Sequence, residues 1–127
     1  MCAIDDAEPC EFMDARFVTA RKSHKCDECK RPIAAKEEYE RVAAKWNGEF
    51  HSMAICSHCV AAREYLNREC NGYAYGVIRE DLEEHWQDGG SLELAKIVVG
   101  LRRKWTTIKG TLMPLPQVAR PSGDNGR

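Results

Sequence analysis

Residues 26–29 read Cys-Asp-Glu-Cys, and residues 56–59 read Cys-Ser-His-Cys. Each pair sets two thiols three positions apart, with residues 30–55 between the pairs. A lone C-x2-C suits a redox pair only with a strand before it and a helix directly after. Here Lys30, Arg31 and Pro32 follow the first pair, and the spacing recurs downstream. Two such pairs form the ligand set of a four-thiolate zinc centre. Cys26, Cys29, Cys56 and Cys59 are therefore predicted to hold one structural Zn2+. Four protein ligands close a tetrahedron and leave no position for a reacting water, so no catalytic residue is assigned.

Working outward, Asn47-Gly48 sits between Glu38–Lys45 and Glu49–Ile55, two runs of alternating character. Asn-Gly supplies the two positive φ angles of a tight hairpin turn. Tyr39, Val42, Trp46, Phe50 and Met53 are the candidate core of that hairpin. Upstream, Phe12–Arg21 is predicted as a strand leading into the first cysteine pair. Downstream, the second pair opens a helix that Ser57 can cap, and Asn71-Gly72 ends it. Arg79–Gln87 and Leu92–Trp105 are predicted as further helices, the latter capped by Ser91. Gly100 inside that helix costs about 1 kcal/mol relative to Ala, so a packing reason is expected.

A chain of 127 residues is one domain with appendages. Charged residues make up 31% of it and the mean hydropathy is −0.54, so the apolar core is modest and a metal would compensate. No apolar run reaches the length of about eighteen residues that a membrane span needs. The acidic N-terminus lacks the apolar stretch of a signal peptide. Seven cysteines then point to a reducing, cytoplasmic setting and to metal rather than disulfides. The net charge of −1 excludes bulk attraction to polyanions and favours a protein over a nucleic-acid partner. Charge is nonetheless uneven. Residues 16–46 carry nine Lys or Arg against five acids, whereas residues 1–15 and 79–88 are acidic.

The order of knuckle, hairpin and helix-borne cysteine pair resembles the treble-clef zinc finger over about residues 20–70. More narrowly, RKSHKCDEC (21–29), IAAKEEYE (33–40), WNG (46–48) and CSHC (56–59) resemble uncharacterised small zinc-binding proteins of bacteriophages and prophages. In those the knuckle is followed by Ile, then Gly-Glu, then Tyr. Ile33, Glu37 and Tyr39 match, and Lys36 stands where Gly is usual, which bears on a left-handed turn there. The resemblance implies an accessory protein in the cytoplasm of a bacterial host that binds a host or phage macromolecule. An anti-CRISPR-like inhibitor of a defence system and a modulator of host transcription are two concrete forms.

The fold class that follows is small α+β: a treble-clef core and two or three C-terminal helices. Its divisions are an acidic N-terminal segment with a candidate strand (1–19), the zinc core (20–72), a helical extension (73–105) and a flexible tail (106–127). Candidate partner contacts are Trp46, Trp86, Arg102, Arg103, Lys104 and Trp105. The basic knuckle and helix end support a nucleic-acid-binding module as the alternative, although both clusters are also accounted for by compensation, Lys22, Lys25, Lys30 and Arg31 for the zinc centre and the helix-end bases for the helix dipole. A degenerate HNH-type nuclease would use His51, but no Asp-His or Asn-His set completes it. His58 is expected to point outward, Cys70 to pack as a buried thiol, and Cys2 and Cys10 to stand apart unless a second metal takes them with a histidine.

Overall fold

The computed structural model describes residues 12–118. In chain order these form β1 (Phe12–Thr19), β2 (His24–Lys25), β3 (Pro32–Ile33), β4 (Glu38–Trp46) and β5 (Glu49–Cys56). Then follow α1 (Ser57–Ala62), α2 (Glu64–Cys70), α3 (Ile78–Gln87) and α4 (Leu92–Arg102). The chain is thus a small α+β protein with a three-stranded antiparallel sheet in the order β1-β4-β5. The short β2 and β3 pair with each other beside it. No helix among the described residues is long and apolar enough to cross a membrane.

The hairpin forms where Asn-Gly places it. Trp46 pairs with Glu49, and Asn47 and Gly48 take φ of 52° and 78°. Alternation then sorts the side chains between two faces. Glu40, Val42, Ala44 and Ile55 lie on one face and are buried. Tyr39, Arg41 and Ala54 point the other way. Near the tip the core gives out: Phe50 is 71% exposed and has the Lys45 ammonium 5.4 Å from its ring centroid. Phe50 is therefore not the core residue expected from the sequence: it pairs with Lys45 and shares the face of Arg41 and Ala54, opposite the buried Val42 and Ala44. The Trp46 side chain lies outside the description.

On the helical side one ionic contact is buried with the apolar residues. Arg63, between α1 and α2, donates two hydrogen bonds of 2.6 Å to the Glu40 carboxylate. Its guanidinium also lies 4.4 Å from the Tyr73 ring centroid. Burial opposes the charge on Arg63, but Glu40 outweighs that and holds its pKa above the ordinary value. The pair ties the sheet to the break between α1 and α2. Asn71, at φ 59°, ends α2 as expected.

Beyond that stop, α3 and α4 join the same core. Ile33, Ile55, Leu66, Ile78, Leu82, Leu94, Ile97 and Leu101 belong to one cluster with the four cysteines. Residues 78–102 are therefore built onto the cysteine core rather than set apart from it. Ser91 caps α4 by accepting from the Leu94 N–H at 3.2 Å. The helix predicted to run to Trp105 stops at Arg102. Lys104 turns left-handed at φ 53°, its N–H reaches the Leu101 carbonyl, and the Trp105 N–H reaches that of Gly100 at 2.7 Å. This is a Schellman stop. It folds the Trp105 indole back over Gly100, leaving Trp105 2% exposed.

The predicted flexible tail is ordered at its start. Thr106 bridges Leu112, and the Met113 N–H donates to the Trp105 carbonyl at 2.7 Å. The Pro- and Gly-rich composition hides this, because the anchors are Trp105 and a residue far upstream, His58. The expectations for residues 1–11 and 119–127 lie outside the described residues.

A Cβ on Gly100 would stand 2.2 Å from the Trp105 ring, which explains the glycine within α4. Gly100→Ala should therefore lower stability by about 2 kcal/mol despite the better helix propensity of Ala. Chemical denaturation of the metal-loaded protein measures this. A stabilised variant would show that the indole does not hold this position.

Candidate metal centre

The two cysteine pairs reach one point from two kinds of local structure. Cys26 and Cys29 sit on a tight turn between β2 and β3. There the Cys26 N–H donates to the Arg31 carbonyl at 2.9 Å, and the Lys30 N–H to the Cys26 carbonyl at 3.0 Å. Closing the turn requires φ of 70° at Lys30. Cys56 ends β5 and is the N-cap residue of α1, and Cys59 lies in its first turn. Ser57 does not cap this helix: its hydroxyl donates to the Glu38 carbonyl at 2.8 Å. Uncapped N–H groups leave the positive end of α1 turned toward the thiols, where it favours thiolate.

All four cysteines are at 0% exposure. Cys26 Sγ lies 3.8 Å from Cys59 Sγ, and Cys29 Sγ lies 3.8 Å from Cys56 Sγ. All four sulfurs fall within 4.8 Å of one another. A tetrahedron with metal–sulfur bonds of about 2.3 Å has edges of about 3.8 Å. The four cysteines therefore suit one tetrahedrally bound metal ion, as their spacing predicts.

Hydrogen bonds give one sulfur a special place. The N–H groups of Glu28, Cys29 and Cys56 point at Cys26 Sγ from 3.4, 3.5 and 3.4 Å. Contacts from the Cys29, Cys56 and Cys59 thiols push the Cys26 pKa far below its ordinary value. The same crowding drives Cys59 far upward. Four buried thiols cannot all ionise without a cation among them.

The surrounding charge differs from the sequence-based expectation of four cations. Arg31 alone is buried beside the cluster, and its guanidinium donates to Glu37 at 3.2 and 2.6 Å. Burial works against its charge, but Glu37 and the Cys56 sulfur outweigh it and hold the pKa above the ordinary value. Lys22, Lys25 and Lys30 are exposed. Lys36 departs from the glycine usual at its position, yet it takes φ of 75°. Its N–H donates to the Ala20 carbonyl at 2.7 Å, which holds the left-handed turn.

The two residues between the first cysteines are the least expected part of the site. Asp27 exchanges hydrogen bonds with Ala54: its N–H donates to the Ala54 carbonyl at 2.8 Å, and its carboxylate accepts from the Ala54 N–H at 2.7 Å. The knuckle thereby occupies the outer edge of β5. Glu28 turns the other way and accepts from the Gly76 and Ile78 N–H groups at 2.6 and 3.1 Å. It serves as the cap of α3, whose own N-cap residue Val77 supplies no side-chain bond. Burial pushes the Glu28 pKa up to about 7, against the pull of those two N–H groups.

Other candidates land elsewhere. His58 is buried, contrary to expectation, with Nε2 2.5 Å from the Met113 carbonyl and its ring 5.5 Å from that of Trp105. Burial holds its pKa below the ordinary value, so the neutral ring donates to the carbonyl. His51 is exposed on β5, paired across the ladder with Ala44. Cys70 is not a free packing thiol: it is disulfide-bonded, with Sγ 3.4 Å from His85 Nε2. Any role of Cys2 and Cys10 lies outside the described residues.

The candidate contact residues do not form one open surface. Trp105 is core. Trp86 is half-buried, and its ring fills the space where Gly90 lacks a Cβ. Arg102 pairs with Glu83 at 2.6 Å, while Arg103 donates to the Thr106 carbonyl at 3.0 Å. Lys104 is exposed. Comparisons with protein-family models, curated proteins and solved structures give no match.

Two outcomes follow. Cys59→Ser should reduce bound metal well below one equivalent and broaden the unfolding transition, as elemental analysis and circular dichroism would record. A variant that kept full metal and full stability would remove Cys59 from the ligand set. Glu28→Ala leaves two N–H groups unpaired beside the α3 N-terminus and should cost about 3 kcal/mol. Metal content should stay at the wild-type level, and amide exchange should quicken first at Gly76 and Ile78. Unchanged exchange there would rule out the clamp.

Proposed function

We propose that this chain is a non-catalytic binding protein: a treble-clef zinc finger with a helical extension, in which Zn2+ holds the fold and does not react. The observation that carries this is the burial of four cysteines in one closed tetrahedral set. All-sulfur tetrahedral coordination is a preference of zinc, and a site closed by four protein ligands has no vacant position. The order of knuckle, hairpin and helix around the set supports the treble-clef reading.

The resemblance of RKSHKCDEC, IAAKEEYE and CSHC to small phage zinc proteins supports an accessory role in a bacterial host, while the disulfide at Cys70 departs from the reducing, cytoplasmic setting that the cysteine pairs suggest. The partner is then a host or phage macromolecule, such as a component of a defence system or of host transcription. Net charge does not choose between protein and nucleic acid, because the cations are not spread evenly over the surface. The nuclease reading has weaker support. His51 has Glu49 4.0 Å away and stands well up the ladder from Cys56.

Affinity capture of the tagged, metal-loaded protein from bacterial lysate, with and without nuclease, tests the binding reading. A partner should co-purify near one-to-one in at least one arm. Substitution of Cys56 and Cys59 by serine should abolish its recovery. No stoichiometric partner in either arm, or equal recovery by the metal-free variant, would overturn the proposal.

A further inference from the structure

A concave groove of about 1190 Å3 runs between the knuckle and the sheet face that carries Tyr39 and Arg41. Four cations line it: Arg21, Lys22, Lys25 and Arg41. All four are exposed, and none has an ion-pair partner among the described residues. Several arginines outside the groove are ion-paired, although among the described residues Arg79 and Arg103 are not. Arg31 is matched with Glu37, Arg63 with Glu40 and Arg102 with Glu83. The groove holds one acid, Asp27, and its carboxylate is already engaged by the Ala54 N–H.

Compensation of the thiolates does not account for these cations. The buried guanidinium beside the cluster belongs to Arg31, and no hydrogen bond joins Lys22 or Lys25 to a sulfur. Nor does the helix dipole, since none of the four lies on a helix. Four like charges held near one another repel, and an anion between them relieves that repulsion. Rings accompany the charge: His24 and Tyr39 lie in the wall with centroids 5.0 Å apart. Unpaired cations along a groove with ring faces beside them match the alternating phosphates and bases of a single strand. An acidic peptide would satisfy the cations and leave the rings unused.

We propose that this groove binds single-stranded nucleic acid, with Arg21, Lys22, Lys25 and Arg41 on successive phosphates and His24 against a base. The inference rests on the binding reading above and names the partner class for one surface of it.

Fluorescence anisotropy with a labelled thymidine strand of about twenty nucleotides tests it on the metal-loaded protein. Four phosphate contacts give a slope of log K against log salt near about −2.8. Lys22→Ala, Lys25→Ala and Arg41→Ala combined should shrink that slope by about 2 and weaken binding at least about tenfold. His24→Ala should weaken binding with the slope unchanged. Lys96→Ala with Lys109→Ala, exposed cations away from the groove, should change neither quantity. Metal content and circular dichroism of each variant confirm that the fold is retained. No binding by the wild type would overturn the proposal, as would a triple variant that binds like the wild type. So would polyglutamate competing as well as an unlabelled strand, which would assign the groove to acidic protein segments. Those results leave the binding reading itself standing, since lysate capture decides it separately.

Discussion

The cross-link among Cys26, Cys29, Cys56 and Cys59 is the constraint on which the other parts of this molecule rest. It joins a turn to the end of a strand and the start of a helix, positions far apart in sequence. A chain of this size with so many charged residues has little apolar surface to bury, and a bound ion supplies closure that such a core lacks. The sulfurs, Ile33, Ile55, Leu66 and the buried residues of α3 and α4 belong to one continuous core.

The first knuckle does more than hold metal. Asp27 and Glu28 point to opposite sides, one onto β5 and the other onto the start of α3. A four-residue turn thus fixes the sheet edge, the helical extension and the ion together. Loss of metal would loosen more than the knuckle, because both clamps depend on the turn that the thiolates close. His58 makes a similar connection from the second pair, binding the Met113 carbonyl while its neighbour Cys59 faces the cluster.

What the sequence made legible was local. Paired spacing gave the ligands, Asn47-Gly48 gave the hairpin, Asn71 and Ser91 gave helix ends, and Gly100 announced a close neighbour. What it concealed was long-range. Asp27 and Glu28 look like solvated acids until their partners, 27 and 48 or 50 residues away, come beside them. His58 looks like a surface residue, and Trp105 like a continuation of the Leu94, Ile97 and Leu101 face, because helical periodicity fixes a direction about one axis and not what crosses or ends that axis. Their burial depends on a left-handed reversal at Lys104, where no glycine marks the turn. Phe50 fails in the other direction: Val42 and Phe50 are both apolar in sequence, but the register about Asn47-Gly48 sends them to opposite faces of the sheet.

The contact between Asp27 and Ala54 also limits how this protein can associate. An edge strand with free N–H and C=O groups is a template for further strands, and a sheet open on both sides can extend without end. Here Asp27 engages the outward N–H and C=O of Ala54, so a strand added along β5 would have to displace that contact or stop short of it.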